Sequence, residues 1–529
     1  MRGEWVGMTR PDVLAAIDIG TNSVHLVVAR VSGPAGLEVV EREKEMVRLG
    51  SGGDMKHLDR GAVDRGIAVL ARFREVADVH GARLAAVATS AVREAENRSV
   101  FLERARAEAG VDVEIISGVE EARLIHLGVL QAVPVFDRTL LLCDIGGGST
   151  ELLIGKKGET LAARSMKLGA IRLTQRFFRD GRTEAGAVDS CRRYVRATLT
   201  SFDGPVRRLG FDVAVGSSGT IGALCAMAVA RREQAPPRTW NNFELSRRDL
   251  DAVVKSLVQA PTVAARAKLP GLEPRRADII LAGALILEQV FEEFGIGAMA
   301  FSDYALREGV LLDAWQRRHG GSLHHLSDLR RSSVVHLSEL MDEDRDHSAR
   351  VAGLALDLFD QTASEHGLGD DAREYLEAGA LLCNIGLFVS HDGHHRHSYY
   401  VIRNSDLLTG FTDREVELIA QIARYHRKSP PRSTHPEFAA LSREDQRLVR
   451  YCAGLLRIAI GLDRTHGQAV TGLRCQVGDG WVRIRAVASR DPAIELEDAT
   501  RKAGLFERAF RGEPMLQWSR PRARSSQRA

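Results

Sequence analysis

One pattern occurs twice in this chain, and it restricts the possible folds more than any other feature. AAIDIGTNSVHLVVAR begins at Ala15 and LLLCDIGGGSTELLIG begins at Leu140. In each copy an apolar run ends in Asp-Ile-Gly, turns through small and hydroxyl residues, and resumes as a second apolar run. That reads as a β-hairpin closed by a phosphate-sized loop. Glycine lets the backbone approach an anion closely, and consecutive N–H groups in such a turn make a cradle for negative charge. Two cradles imply two related domains gripping one polyanionic ligand.

At 529 residues the chain exceeds what one hydrophobic core organises, so three or four domains are expected. A net charge of +3 does not point to nucleic acid. The first residues lack the apolar core of a signal peptide and no apolar run reaches membrane-spanning length, so a cytoplasmic enzyme without a membrane partner is expected. Six scattered cysteines without a CxxC pair read as reduced, mostly buried thiols.

The changing periodicity divides the chain. Residues 12–136 and 137–318 each open with a hairpin and continue as alternating strands and helices. Residues 322–463 carry helical spacing almost throughout, 464–518 return to strand alternation in a small α/β piece, and 519–529 form a basic tail expected to be disordered. Within the first domain, a strand at 84–88 leads into TSAVREAEN, read as a loop, and a helix begins near Val119.

Asp144 and Glu151 flank GGGST, and two carboxylates beside a phosphate loop suit a hard divalent cation such as Mg²⁺. Turn chemistry alone would account for the aspartate, but three consecutive glycines weaken a strand for no packing reason. Glu120 and Glu121 open a helix, where one acid serves the helix dipole and the other is free to orient a water. Spacing does not say which. Arg93 could hold a terminal phosphate or pair with Glu94 or Glu96, and Arg48 sits similarly at a strand end.

Arg172, Arg176 and Arg179 recur at helical spacing behind Arg164 and Lys167. Such a stripe is usually a solvated face, yet a long polyanion would need one. HDGHHRHS from His391 and RYHRK from Arg424 add a second basic group, with His397, Arg424, His426, Arg427 and Lys428 as candidates for the same channel. Adjacent histidines cannot all converge on one zinc ion. GSSGT, from Gly216 to Thr220, is a further glycine and hydroxyl loop after a strand.

Taken together, AAIDIGTNSVHLVVAR, TSAVREAEN, EIISGVEEARLI, DIGGGSTELLIG, GSSGT and SDYALREGV resemble, in order and spacing, the motifs of the exopolyphosphatase and guanosine pentaphosphate phosphohydrolase (Ppx/GppA) family. The resemblance implies an α/β protein of two actin-like, ribonuclease H-like domains followed by an all-helical HD-like domain and a small α/β C-terminal domain. It implies Glu121 as the base activating water, and Asp144, Glu151 and Asp18 at the metal positions. Asn22, Ser23, Arg93, Gly146, Gly147, Gly148 and Ser149 would line the phosphate site. Mg²⁺ is the implied cofactor, with a monovalent cation such as K⁺ left open, and a homodimer is expected.

Cys383 and Asn384 stand where HD-type relatives carry metal ligands, so no second metal centre is expected there. HRHSYYVIRNSDL and RYHRK resemble the exopolyphosphatase branch, which implies removal of the terminal phosphate from inorganic polyphosphate. Guanosine pentaphosphate is the alternative substrate, with the penta- or tetraphosphate an alternative inhibitor. A sensor of such ligands and a kinase or ATPase of the same superfamily are the competing classes. Ala305 departs from the family pattern, where glycine is frequent, and would be strained if that position required a positive φ.

Overall fold

The computed structural model describes residues 12–31, 37–51, 56–319, 329–405, 407–408, 411–478 and 480–520. They form two compact units, Met1–Arg330 with Thr409–Thr412 and Arg331–Leu408 with Asp413–Ala529.

The first unit contains the duplication in three dimensions. Strands β1 (Asp12–Ile19), β2 (Val24–Val31), β3 (Leu37–Glu45), β4 (Arg83–Ala88) and β5 (Val113–Ile115) form a sheet ordered β3-β2-β1-β4-β5. Strands β6 (Leu140–Ile145), β7 (Thr150–Lys156), β8 (Glu159–Met166), β9 (Val213–Ser217), β10 (Glu244–Ser246) and β11 (Ala298–Phe301) form a second, ordered β10-β11-β9-β6-β7-β8. Apart from the added edge strand β10, the orders correspond: an antiparallel hairpin continues into parallel strands reached through helical crossovers. The registers correspond too. Asp18 faces His25 across β1 and β2, and Asp144 faces Glu151 across β6 and β7.

Both sheets are covered on both faces, which is why their central strands are almost continuously apolar. Alternation then sorts each strand between two cores: Ala15, Ile17 and Ile19 pack outward against the helix Arg60–Val79, whereas Leu14 and Ala16 pack inward. Leu140 and Leu142 enter the same inner core from the second sheet, while Leu141, Cys143 and Ile145 face the other way. Two helices, Gly118–Val129 and Leu306–His319, fill this shared core. They cross with almost no room: a Cβ on Gly128 would lie 2.0 Å from the Ala305 carbonyl oxygen, and one on Gly309 would lie 1.8 Å from that of Leu124. The first residues of both helices are thereby delivered to the same end of the two sheets.

The strand at 84–88 appears as β4, but part of the expected TSAVREAEN loop is helical, from Ser90 to Glu94. Ala305 is not among the residues with positive φ, so the strain anticipated there does not arise. Its N–H instead donates to the Glu308 carboxylate at 2.9 Å, which caps the helix that follows.

The second unit combines helices, among them Arg345–Gln361, Asp370–Leu382, His394–Asn404, Asp413–Arg424 and Arg443–Gly461, with a three-stranded sheet. There β12 (Val470–Gly478) and β13 (Trp481–Ala488) make the expected hairpin, and β14 (Glu513–Ser519) joins β13 in parallel. The expected segments 322–463 and 464–518 fall mostly in this one unit, which starts at Arg331 and leaves out Thr409–Thr412. Residues 521–529 of the expected tail lie outside the described residues. Five of the six cysteines are buried, and all six are unpaired thiols. Among the described residues no helix is long and apolar enough to cross a membrane.

Candidate active site

The two loops close in the same way and face each other. Gly20 N–H donates to the Ser23 carbonyl at 3.1 Å, and Gly146 N–H donates to that of Ser149 at 2.9 Å. A Cβ on Gly147 would sit 3.2 Å from the Cβ of Thr21, so the cradles meet almost in contact and a larger residue at Gly147 would force them apart. The second loop is braced from behind: Ala170 and Ile171 donate to the carbonyls of Gly146 and Gly147 at 3.0 and 2.9 Å, and Arg172 Nε donates to that of Gly148 at 2.7 Å. Between the loops lies a cavity of about 570 Å³, lined by Asp18, Asn22, Ser23, Gly146–Gly148, Ser149, Glu121 and Asp144.

Tertiary structure resolves the choice between the adjacent glutamates. Ser117 caps the helix by accepting from Glu120 N–H at 3.1 Å, and the Glu120 side chain turns outward to Arg123. Glu121 is 7% exposed and lines the cavity, where Arg93 Nη1 donates to its carboxylate at 2.9 Å and to the Ile116 carbonyl at 3.0 Å. Arg93 therefore holds the carboxylate from behind rather than pairing with Glu94 or Glu96.

Four carboxyl groups, Asp18, Glu121, Asp144 and Glu151, are buried around this space. Burial is the main reason that Asp18 and Glu151 are pushed up to about 7 and Asp144 to about 6. Arg307 partly offsets this for Asp18, and Asp144 adds repulsion to Glu151. Burial followed by the Glu151 charge holds Glu121 well above the ordinary carboxylate range. Ser217 on β9 donates to Asp144, and Ser165 Oγ donates to Glu151 at 2.7 Å. Next to Ser217, within the GSSGT loop, Ser218 takes φ +94°, a costly conformation for a residue with a side chain and one that recurs at functional sites.

Buried carboxylates on oxygen-rich loops fit a hard cation. Among the described residues no three carboxylate, imidazole or thiolate groups converge tightly enough to ligate an ion unaided. Asp144 and Glu151 could hold one only with water or ligand oxygens completing its shell, which is how Mg²⁺ is usually bound. A titration consequence follows. A carboxyl whose pKa is higher folded than unfolded carries more protons when folded, so its stabilising effect is complete below the ordinary carboxyl range and disappears as pH rises through about 7. In EDTA, the unfolding temperature of the wild type should fall between pH 5 and pH 8 more steeply than that of Asp18→Asn. Calorimetry giving equal slopes would contradict the burial argument.

Several cations reach the cavity wall that were not singled out in the sequence: Lys44 and Arg276, which lie outside the quoted motifs, and Arg307, which lies within SDYALREGV, with His25 beside them. Burial, followed by repulsion from Arg276, lowers Lys44 to about 8. Trp240 and Phe301 also line this cavity. The one available sequence signal concerned His25, which follows Asp18 by the same interval as Glu151 follows Asp144.

The expected cationic stripe does not exist as a free helix face. The helix Ala170–Phe177 ends before Arg179, whose Nε donates to the Gln175 carbonyl at 2.6 Å. Arg172 pairs with Glu94 at 2.7 Å, Lys167 pairs with the same carboxylate at 2.9 Å, and the Arg176 guanidinium lies 3.9 Å from the Tyr194 ring centre. Arg164 is exposed on β8. In the second unit His426 is buried and hydrogen-bonds the Ala423 carbonyl and His394, so it offers no surface to an anion. Arg424 is committed to Glu437 and to the faces of Tyr399 and Tyr425, and Arg427 to His394. His397 is half-buried and Lys428 exposed.

Duplicated hairpins in corresponding sheets, with facing anion loops and carboxylates at their mouth, define a two-lobed actin-like phosphoryl-binding protein. The description "Ppx/GppA phosphatase family" matches residues 26–318, and "Ppx/GppA phosphatase, domain III" matches residues 329–483. The chain belongs to the Ppx/GppA phosphatase family. It is 31% identical over 462 residues to a guanosine-5'-triphosphate,3'-diphosphate pyrophosphatase of Pseudoalteromonas translucida, covering 86% of this chain and 88% of that protein. A protein of the same description from Photobacterium profundum is 31% identical over 464 residues, with the same coverage. Among solved structures, an exopolyphosphatase of Cytophaga hutchinsonii is 32% identical with a TM-score of 0.54, over 57% of this chain and 98% of that one. The Aquifex aeolicus Ppx/GppA family member is 28% identical with a TM-score of 0.51, over 59% and 99%.

Proposed function

We propose that this chain hydrolyses the terminal phosphoric anhydride of guanosine pentaphosphate. The observation that carries this reading is the mixed lining of one cavity, which holds the rings of Trp240 and Phe301 and the cations Lys44 and Arg276 as well as the anion loops and Glu121. Aromatic faces suit a purine base, and the additional cations suit a second phosphate group. The names of the two bacterial relatives, both guanosine-5'-triphosphate,3'-diphosphate pyrophosphatases, point the same way.

In this reading the N–H groups of Gly147 and Gly148, with hydroxyls of the facing loop, grip the terminal phosphoryl group. Glu121 accepts a proton from a water aligned with the bond to be broken. The water oxygen bonds to phosphorus, the bridging oxygen leaves with the shortened nucleotide, and orthophosphate is released. Arg93 keeps the Glu121 carboxylate aimed. Asp144 and Glu151, with Asp18 near them, would hold Mg²⁺, which when bound neutralises charge on the phosphate oxygens.

The exopolyphosphatase reading uses the same chemistry and is favoured by the likeness to the C. hutchinsonii enzyme. Rates of phosphate release from guanosine pentaphosphate and from polyphosphate of defined length, measured side by side with and without Mg²⁺, separate the two. A kcat/KM at least tenfold higher on the nucleotide is expected. The opposite ratio would return the assignment to polyphosphate, and no release from either would remove both.

A further inference from the structure

We propose that His25 and Arg307 are positioning residues that aim the Ser23 hydroxyl hydrogen into the cavity, so that Ser23 is an oriented hydroxyl donor to the bound phosphoryl group. The proposal deepens the phosphohydrolase reading and rests on it for its kinetic part.

Ser23 directly precedes β2, and His25 is the second residue of that strand. Arg307, from the first turn of the helix Leu306–His319, places Nη1 2.7 Å from His25 Nδ1, and His25 Nε2 lies 2.7 Å from Ser23 Oγ. A guanidinium has donors only, so Nδ1 must accept. The imidazole is therefore neutral with its proton on Nε2, which donates to Ser23 Oγ. Burial and the flanking Arg307, Lys44 and Arg276 charges all disfavour the doubly protonated ring. With one lone pair of Ser23 Oγ occupied, its own hydrogen is directed elsewhere; among the described residues no acceptor takes it, and Ser23 lines the cavity.

The second cradle has the reverse polarity. Its residue at the His25 position is Glu151, which has acceptors only once ionised. An ionised Glu151, which accepts from Ser165 Oγ at 2.7 Å, donates nothing to Ser149, so the second cradle lacks the chain that orients Ser23. One substitution between the repeats thus gives the first serine an orienting partner that the second lacks. It also ties the first loop to the helix Leu306–His319, which packs in the core shared by the two sheets.

Two measurements test this. Long-range ¹⁵N–¹H spectra of histidine-labelled protein, with the His25 signals identified by their loss in His25→Gln, should show a neutral ring protonated on Nε2. A proton on Nδ1, or a charged ring, would overturn the proposal whatever the substrate. Kinetically, on whichever of the two phosphate substrates the wild type turns over, Ser23→Ala and His25→Phe should each lower kcat by about 10- to 100-fold, the range carried by a hydrogen bond to a charged group. The double variant should be no worse than either single one, and His25→Gln, which retains a donor, should recover part of the loss. Multiplying penalties would mean that His25 does not act through Ser23. Should His25→Phe fold poorly by calorimetry, the cycle is run with His25→Gln against Ser23→Ala, and the spectra of the wild type still decide.

Discussion

Glu121→Gln is expected to reduce phosphate release by about 10²- to 10⁴-fold while leaving substrate binding within a few-fold of wild type. The amide keeps the shape of the side chain and an oxygen for Arg93 but cannot take a proton from water. Arg93 holds the Glu121 carboxylate directly, at 2.9 Å, which fixes its direction at the cavity wall. Equilibrium binding of the substrate to the variant, alongside single-turnover release, separates the chemical role from a loss of affinity. Turnover close to wild type would remove Glu121 from the mechanism. The same substitution at Glu120 should cost far less, since that side chain pairs with Arg123 and does not line the cavity.

Gly309→Ala is expected to cost about 1–3 kcal/mol of stability or more, because the added methyl cannot be accommodated by a side-chain rotation. Its Cβ would fall 1.8 Å from the Leu124 carbonyl oxygen, an atom fixed within the ladder of the opposing helix. Either the helices Gly118–Val129 and Leu306–His319 separate or the variant does not fold. Separation also displaces Glu121 from Arg307, since each begins one of the two helices, so activity should fall even in molecules that remain folded. Denaturant unfolding with a constant slope, combined with kinetics well below the midpoint, measures the two effects independently. A variant with wild-type stability and rate would show that this crossing is looser than the backbone indicates.

Some of the site was legible because its chemistry is local. Asp18, Asp144 and Glu151 are positioned by strand alternation and by a turn whose closing hydrogen bond lies between Gly and Ser three residues apart. Those constraints act within ten residues and appear as a repeated pattern in the chain. Where choice depended on distant partners, local reading left it open or misplaced it. Arg172 looked like part of a cationic stripe because its neighbours at helical spacing are basic. In the fold it is half-buried, bracing Gly148 and pairing with a glutamate 78 positions away. Ala305 looked strained by comparison with glycine, yet the close approach is made by Gly128 and Gly309 on either side of it.

The amino-acid order alone determined that there would be two hairpins, two anion loops and a carboxylate pair flanking one of them, because side-chain periodicity and turn chemistry are decided by neighbours along the chain. Only the packed molecule decided which of two adjacent glutamates faces the cavity, what Arg93 holds, and that Arg307 reaches His25 across 282 positions. Those relations depend on how two sheets share one core, and desolvation there, acting on groups brought together from both repeats, sets the protonation on which the chemistry turns.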